Sequence, residues 1–335
     1  MKIAVLGAGT WGIALAKLLF ENRHDVTVWS ALPTELSELK ESGKHKNLPG
    51  AVIPRELNYE SSLEKAIKGK DAVLFTVASA YLRSVVSSCA LFLSEDQLLI
   101  NASKGLEADT LFTMTEVIAD EMKKCGATFT PRLIALSGPT HAEEVARGIP
   151  TSVVCACEDE ECAQRGAEMF MNSCMRVYTN TDIKGVEICG AFKNVIALAA
   201  GMIRGIGYGD NTLAALMTRG IAEMTRIGLA LGCKRRTFMG LAGIGDLIVT
   251  CTSPHSRNNR CGELIGGGLT YEQARDKIGM VVEGYHALEA AEQLSRKYDV
   301  EMPIISAVYD VIRRGTDTGE ALKALMARPM RSELD

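Results

Sequence analysis

The sequence predicts an α/β domain built on a mostly parallel sheet, followed by an all-α domain. Three observations carry that reading. Short apolar runs alternate with amphipathic helical segments up to about residue 180. A glycine-rich turn follows the first run directly. Beyond residue 181 no strand pattern recurs, while long helical periods do.

The strand candidates are residues 2–6 (KIAVL), 25–29 (DVTVW), 71–77, 97–101, 132–137, 152–156 and 175–179. Helical patterns at 11–21, 81–93, 111–124 and 160–171 lie between most of them. Alternation of this kind implies βαβ units, a parallel sheet and right-handed crossovers. Helical patterns at 186–206, 213–232, 271–278, 284–298, 304–315 and 318–327 then make up the remainder. The boundary is placed in Asn180-Thr181-Asp182, giving domains of 1–181 and 182–335, and a chain of 335 residues suits two domains. With no low-complexity linker between them, close packing and a site in the interdomain cleft are expected.

Composition excludes several function classes. Aromatics are only 5% of residues, so aliphatic side chains and methionine must build the core. The net charge of -4 argues against nucleic acid as a partner, which usually calls for a basic patch. The ten cysteines form no C-x-x-C pair and no Cys/His cluster with zinc spacing, so no metal is expected. Reduced thiols without a secretory signal suggest the cytoplasm. The most apolar stretch, residues 186–203, contains Glu187, Lys193 and Asn194 and makes a poor membrane span. A homodimer is an assembly the sequence allows.

Gly7-Ala8-Gly9-Thr10-Trp11-Gly12 matches G-x-G-x-x-G in the context that motif needs: a strand before it, a helix after it and a second strand soon afterwards. Gly7 permits the tight turn, Gly9 lets the backbone approach a pyrophosphate and Gly12 allows close helix–sheet packing. The helix N-terminus favours the anionic phosphates. A Rossmann-like dinucleotide site follows. An acid at the end of the second strand would indicate NAD and an arginine NADP, but the residues there are Ser30 and Ala31. The loop around Lys44, His45 and Lys46 offers positive charge, with a solvated loop as the alternative.

Lys193 sits mid-helix in an otherwise apolar segment. Lysine is almost never fully buried unless paired, and a desolvated lysine exchanges protons near neutrality. A structural ion pair or a snorkelling side chain is the bland alternative. Further on, Gly243-Ile244-Gly245-Asp246 precedes Ser256-Arg257-Asn258-Asn259-Arg260, a cluster suited to phosphate or carboxylate, or else a solvated loop with helix caps. Lys104 and the Gly138-Pro139-Thr140 turn follow strands at the sheet edge where ligands bind. Val281-Val282-Glu283-Gly284 places one acid in an apolar stretch.

Taken together these motifs resemble bacterial-type NAD(P)-dependent glycerol-3-phosphate dehydrogenase, from Lys2 to about Arg328. The carrying segments are GAGTWG, Ala102 to Glu107, Leu136 to Thr140, Gly190 to Ala197, Gly243 to Leu247, Ser256 to Asn258 and Val281 to Tyr285. The resemblance implies that Thr10, Trp11, Lys104, Ala142, Arg257, Val281 and Glu283 contact NADP or NAD. It implies a substrate set of Lys104, Gly138, Thr140, Lys193, Asp246, Ser256, Arg257 and Asn258, with dihydroxyacetone phosphate and sn-glycerol 3-phosphate as the substrate pair. Lys193 matches the proton-transfer lysine. Asp246 would orient it or a substrate hydroxyl, and Arg257 with Asn258 and Ser256 would hold the phosphate. The implied role is supply of the glycerol phosphate backbone for phospholipid synthesis. Where the family often carries a basic residue after the second-strand tryptophan, this chain has Ala31. Two other readings share the plan: a dehydrogenase of a hydroxy acid or sugar phosphate, and a dinucleotide-binding regulator without turnover.

Overall fold

The computed structural model describes residues 1–330, 332 and 333. Eight strands form one sheet: β1 (Lys2–Leu6), β2 (Asp25–Trp29), β3 (Asn58–Glu60), β4 (Ala72–Phe75), β5 (Leu98–Asn101), β6 (Arg132–Ser137), β7 (Thr151–Ala156) and β8 (Met175–Asn180). Their order is β3-β2-β1-β4-β5-β6-β7-β8. Every neighbouring pair is parallel except β6 against β7, so the sheet is mostly parallel, as expected. Strand order reverses between β1 and β4, and ligands bind outside the carboxyl ends of strands at such a switch point.

The short apolar runs become strands because both faces of the sheet are covered. In β1, Ile3 and Val5 pack into one core and Ala4 and Leu6 into another on the opposite face. A strand buried on both sides reads as a continuous apolar run rather than an alternation. The helices Thr10–Glu21 and Glu160–Phe170 supply the first core, and Ser79–Cys89 and Met114–Lys124 the second.

A third core surrounds the helix Ile183–Gly205. The helices Asp210–Ala230, Asp246–Thr252, Arg257–Gly266 and Glu283–Tyr298 pack around it. This core also takes in Ala135, Val154 and Ala156 from the sheet, so the helical part and the sheet share apolar packing. The Ile183–Gly205 helix is long and apolar enough to cross a membrane, yet that apolar window is wholly buried inside the protein. Two glycines let a neighbour approach: a Cβ on Gly201 would meet the Asn259 carbonyl oxygen at 1.9 Å, and one on Gly262 the Leu198 carbonyl oxygen at 2.0 Å.

Several elements differ from the sequence expectation. β3 was not anticipated, because Asn-Tyr-Glu has neither apolar alternation nor length. The helix Pro33–Ser42 was not anticipated either, since it buries only Leu36 and Leu39. The 81–93 pattern divides into the α-helix Ser79–Cys89 and a 3-10 turn at Ala90–Phe92. The segment around 256–260, which from sequence suits either a site or a solvated loop, is the start of the Arg257–Gly266 helix, with Ser256, Asn258 and Asn259 buried.

Candidate active site

The carboxyl ends of β1, β4, β5 and β6 lead into one region. After β1, Gly7 takes a positive φ of 125° that only glycine adopts readily. A Cβ on Gly12 would lie 2.0 Å from the Gly7 carbonyl oxygen, so glycine is what lets the helix start so close to the strand. Around Gly9 a Cβ would meet nothing within 4 Å, and Gly9 caps the Thr10–Glu21 helix without a side-chain hydrogen bond. The first amides of that helix therefore have no intrahelical or side-chain acceptor. A close-packed turn, open space over Gly9 and free helix amides fit a dinucleotide pyrophosphate. The indole Nε1 of Trp11 in the same loop is buried with no protein partner.

On the helical side, Asp246 organises the charges. It is 1% exposed, and both of its oxygens are taken. Lys193 Nζ donates to Oδ1 at 2.6 Å and to the Thr250 hydroxyl at 2.7 Å. Lys104 Nζ donates to Oδ2 at 2.7 Å, to the Gly138 carbonyl at 3.0 Å and to the Thr140 hydroxyl at 3.4 Å. One carboxylate thus holds two ammonium groups from different elements. Burial pushes the Lys193 ammonium down to about 8, Asp246 opposes that, and Lys104 adds to it. Burial pushes the Asp246 carboxyl up, but Lys104 and Lys193 outweigh it and leave its pKa below the ordinary value.

The other predicted residues line the same region. Asn194 accepts from Asn258 Nδ2 at 3.0 Å, and Asn258 Oδ1 accepts from the Gly284 amide at 2.9 Å. The carboxamide of Asn258 thus has a protein partner at each of its polar atoms and a second N–H beyond that pair. Ser256 caps the Arg257–Gly266 helix through the Asn259 amide at 3.2 Å. Arg257, the first residue of that helix, is half-buried, whereas Arg260 is exposed. Glu283 accepts from the Ser79 amide at 3.2 Å and from the Ser79 hydroxyl. Val281 lies just before the helix that Glu283 starts, and Ala142 opens the short helix Ala142–Val145 after the Gly138-Pro139-Thr140 turn. Gly138 itself has φ 146° and packs against the Ser152 carbonyl.

Sequence reasoning missed four residues here. Thr250 is one helical turn beyond Asp246, and recognising the Asp246–Thr252 helix would have placed it. Ser79 anchors Glu283 across 204 residues of sequence, with no local signal. His141 lies close enough to Lys193 that burial, and then the lysine's charge, lower its pKa. Ser137, at the end of β6, has a buried hydroxyl without a protein partner; a Cβ on Gly190 would be 3.4 Å from it and from Lys104 Cγ. Among the described residues no group of three or more His, Cys, Asp or Glu is placed to hold a metal ion.

The family model for the NAD-dependent glycerol-3-phosphate dehydrogenase N-terminus matches residues 2–163, and the model for its C-terminus matches 182–323. The chain belongs to this dehydrogenase family. It is 54% identical over 333 residues to glycerol-3-phosphate dehydrogenase [NAD(P)+] 2 of Lactobacillus delbrueckii subsp. bulgaricus, covering 99% of each chain. It is 45% identical over 335 residues to glycerol-3-phosphate dehydrogenase [NAD(P)+] of Fusobacterium nucleatum subsp. nucleatum, covering 100% of this chain and 99% of that one. The crystal structure of glycerol-3-phosphate dehydrogenase from Coxiella burnetii superposes with a TM-score of 0.92 at 33% identity, over 98% of this chain and 99% of that one. Within this dehydrogenase family frame, the shared carboxylate makes a stability prediction. Asp246→Ala leaves the buried Lys193 ammonium and the half-buried Lys104 ammonium uncompensated and should cost about 3–5 kcal/mol. Lys193→Met should cost clearly less, because Lys104 still neutralises Asp246. Urea unfolding measures both, and equal losses would contradict the shared pairing.

Proposed function

We propose that this protein catalyses the reversible reduction of dihydroxyacetone phosphate to sn-glycerol 3-phosphate with NAD(P)H, supplying the glycerol phosphate backbone for phospholipid synthesis. The observation that carries the reading is Lys193: a lysine buried in an apolar helix, paired to Asp246 and adjoining the carboxyl ends of the sheet. When bound, the dinucleotide supplies the hydride, and that chemistry belongs to it. Lys193 then supplies the proton to the carbonyl oxygen and stabilises the charge that develops there, acting as base in reverse. Asp246 fixes the lysine's position, and Thr250 limits its rotation through a second hydrogen bond. Lys104 holds the turn after β6 against Asp246 and offers its remaining charge to the substrate.

The phosphate is assigned to the start of the Arg257–Gly266 helix. The Arg257 guanidinium and the first amides of that helix, which have no intrahelical acceptor, form an anion site. Asn258 contributes its backbone N–H and the second N–H of its carboxamide, and Ser256 keeps its hydroxyl proton to donate. Gly138 and Thr140 line the substrate side through the turn that Lys104 secures. Gly7, Gly9, Thr10, Trp11 and Gly12 hold the dinucleotide, with Ala142, Val281 and Glu283 closing its far side. Division of these tasks at about residue 181 agrees with the last strand ending at Asn180 and the central helix starting at Ile183. Ten unpaired cysteines support a cytoplasmic location.

Steady-state reduction of dihydroxyacetone phosphate, followed at the nicotinamide absorbance band beside a 3-hydroxy acid control, tests the assignment. Turnover of the acid without turnover of the phosphate would overturn it. Lys193→Ala should lower kcat by about 10²–10⁴-fold while dinucleotide affinity stays nearly intact, and a variant retaining more than a tenth of the rate would sink the role. The pH profile carries a sign. Reduction needs protonated Lys193, so its rate falls as pH rises through about 8, while oxidation needs the neutral amine and rises through the same range. Profiles that do not move in opposite directions contradict the assignment.

A further inference from the structure

The residues beside the glycine loop bear on which dinucleotide it takes. β1 and β2 are in register, with Leu6 opposite Trp29, and the Gly7 amide donates to the Trp29 carbonyl at 2.9 Å. Ser30, the next residue, is 6% exposed. Its hydroxyl donates to Glu35 Oε2 at 2.8 Å and accepts from the Leu32 amide at 3.1 Å. Both of its hydrogen-bonding roles are spent, and the effect is to bring the Glu35 carboxylate back from the Pro33–Ser42 helix to the end of β2. His45 is close to both Glu35 and the Ala8 backbone. It is buried, and its Nδ1 accepts from the Asn47 amide at 3.2 Å. Burial lowers its pKa first of all, and the Glu35 charge and a hydrogen bond with the Ala8 backbone oppose that only in part. Glu35, Ser30, His45 and Ala8 are thus neighbours at the end of the switch-point strands.

In a dinucleotide-binding βαβ unit the adenosine ribose reaches the end of the second strand, where an acid accepts the 2′-hydroxyl and an arginine accommodates a 2′-phosphate. No acid follows β2 directly, and Ala31 offers no cation. The acid arrives from the following helix instead, held by Ser30. In the loop at 44–46, which the sequence leaves between a source of positive charge and a solvated loop, the buried member His45 is kept toward the neutral form, while Lys44 and Lys46 are exposed.

We propose that Glu35 sets cofactor choice by accepting the free 2′-hydroxyl of the adenosine ribose, so that the chain takes NAD(H) and rejects the 2′-phosphate of NADP(H). This rests on the reading of the glycine loop as the dinucleotide site, and not on the identity of the second substrate. A 2′-phosphate would bring up to two negative charges to a carboxylate that Ser30 holds in place. Such a like-charge approach near a protein surface weakens binding about tenfold or more.

Dissociation constants for NADH and NADPH, read from tryptophan and nicotinamide fluorescence with no second substrate present, test this. The native protein should bind NADH at least about tenfold more tightly than NADPH. Glu35→Gln should bring the ratio to within about threefold, chiefly by tightening NADPH, since the amide removes the charge and keeps the shape. Ala31→Arg should move the preference towards NADPH by a separate route. Native affinity equal for the two, or greater for NADPH, overturns the proposal, as does a Glu35→Gln variant whose ratio is unchanged. If binding discriminates as stated while dihydroxyacetone phosphate is not reduced, the catalytic reading fails and the cofactor assignment stands.

Discussion

Two lysines compete for one buried carboxylate, and much of the molecule is arranged to let them. An isolated ammonium or carboxylate taken out of water carries a penalty of several kcal/mol, which is recovered only by close pairing and full hydrogen bonding. Asp246 meets that condition by giving one oxygen to Lys193 and the other to Lys104. The three groups come from the helix Ile183–Gly205, the Asp246–Thr252 helix and the loop after β5. Their pairing therefore fixes the helical part against the edge of the sheet. It also leaves an excess of one positive charge where a carbonyl oxygen and a phosphate would be received, while burial, aided by the Lys104 charge and opposed by Asp246, holds the Lys193 pKa at about 8.

The scaffold that makes this affordable is apolar and closely packed. The Ile183–Gly205 helix is buried over nearly its whole length, with alanine and glycine where neighbours press against its backbone. Gly201 and Gly262 let the Arg257–Gly266 helix approach, and Gly284 brings the Glu283–Tyr298 helix to within 2.6 Å of the Asn194 carbonyl, measured from where its Cβ would be. The same close approach seats Asn194, Asn258 and the Gly284 amide in one hydrogen-bonded chain. Packing and polar satisfaction are thus one arrangement, in which a larger residue at these glycines would displace the polar chain as well as the helices.

Much of this was legible in the sequence because the decisive residues break a local pattern. Lys193 in an apolar helix, glycines between a strand and a helix, and Lys104 just past a strand each conflict with their surroundings, and such conflicts gather at functional sites. The resemblance to the dehydrogenase family added the order of the motifs. What was not legible depends on contacts across the chain. Glu283 reads as a lone acid until Ser79 is found beside it, and the hydrogen bonds that tie Asn258 to Asn194 and Gly284 appear only in the fold. Cofactor choice was hidden in the same way, because Ser30 and Ala31 carry no charge and Glu35 reaches the end of β2 only through the fold.

The most direct test of the account is the titration of Lys193 itself in the whole protein. Lysine labelled with ¹³C at Cε gives resonances whose shifts follow protonation, and a Lys193→Met variant identifies the relevant signal by its loss. The account predicts one lysine titrating at about 8, apart from the rest. A Lys193 signal that titrates with the exposed lysines, near the ordinary value of about 10.4, would contradict the buried shared pair on which the structure and its proposed chemistry depend.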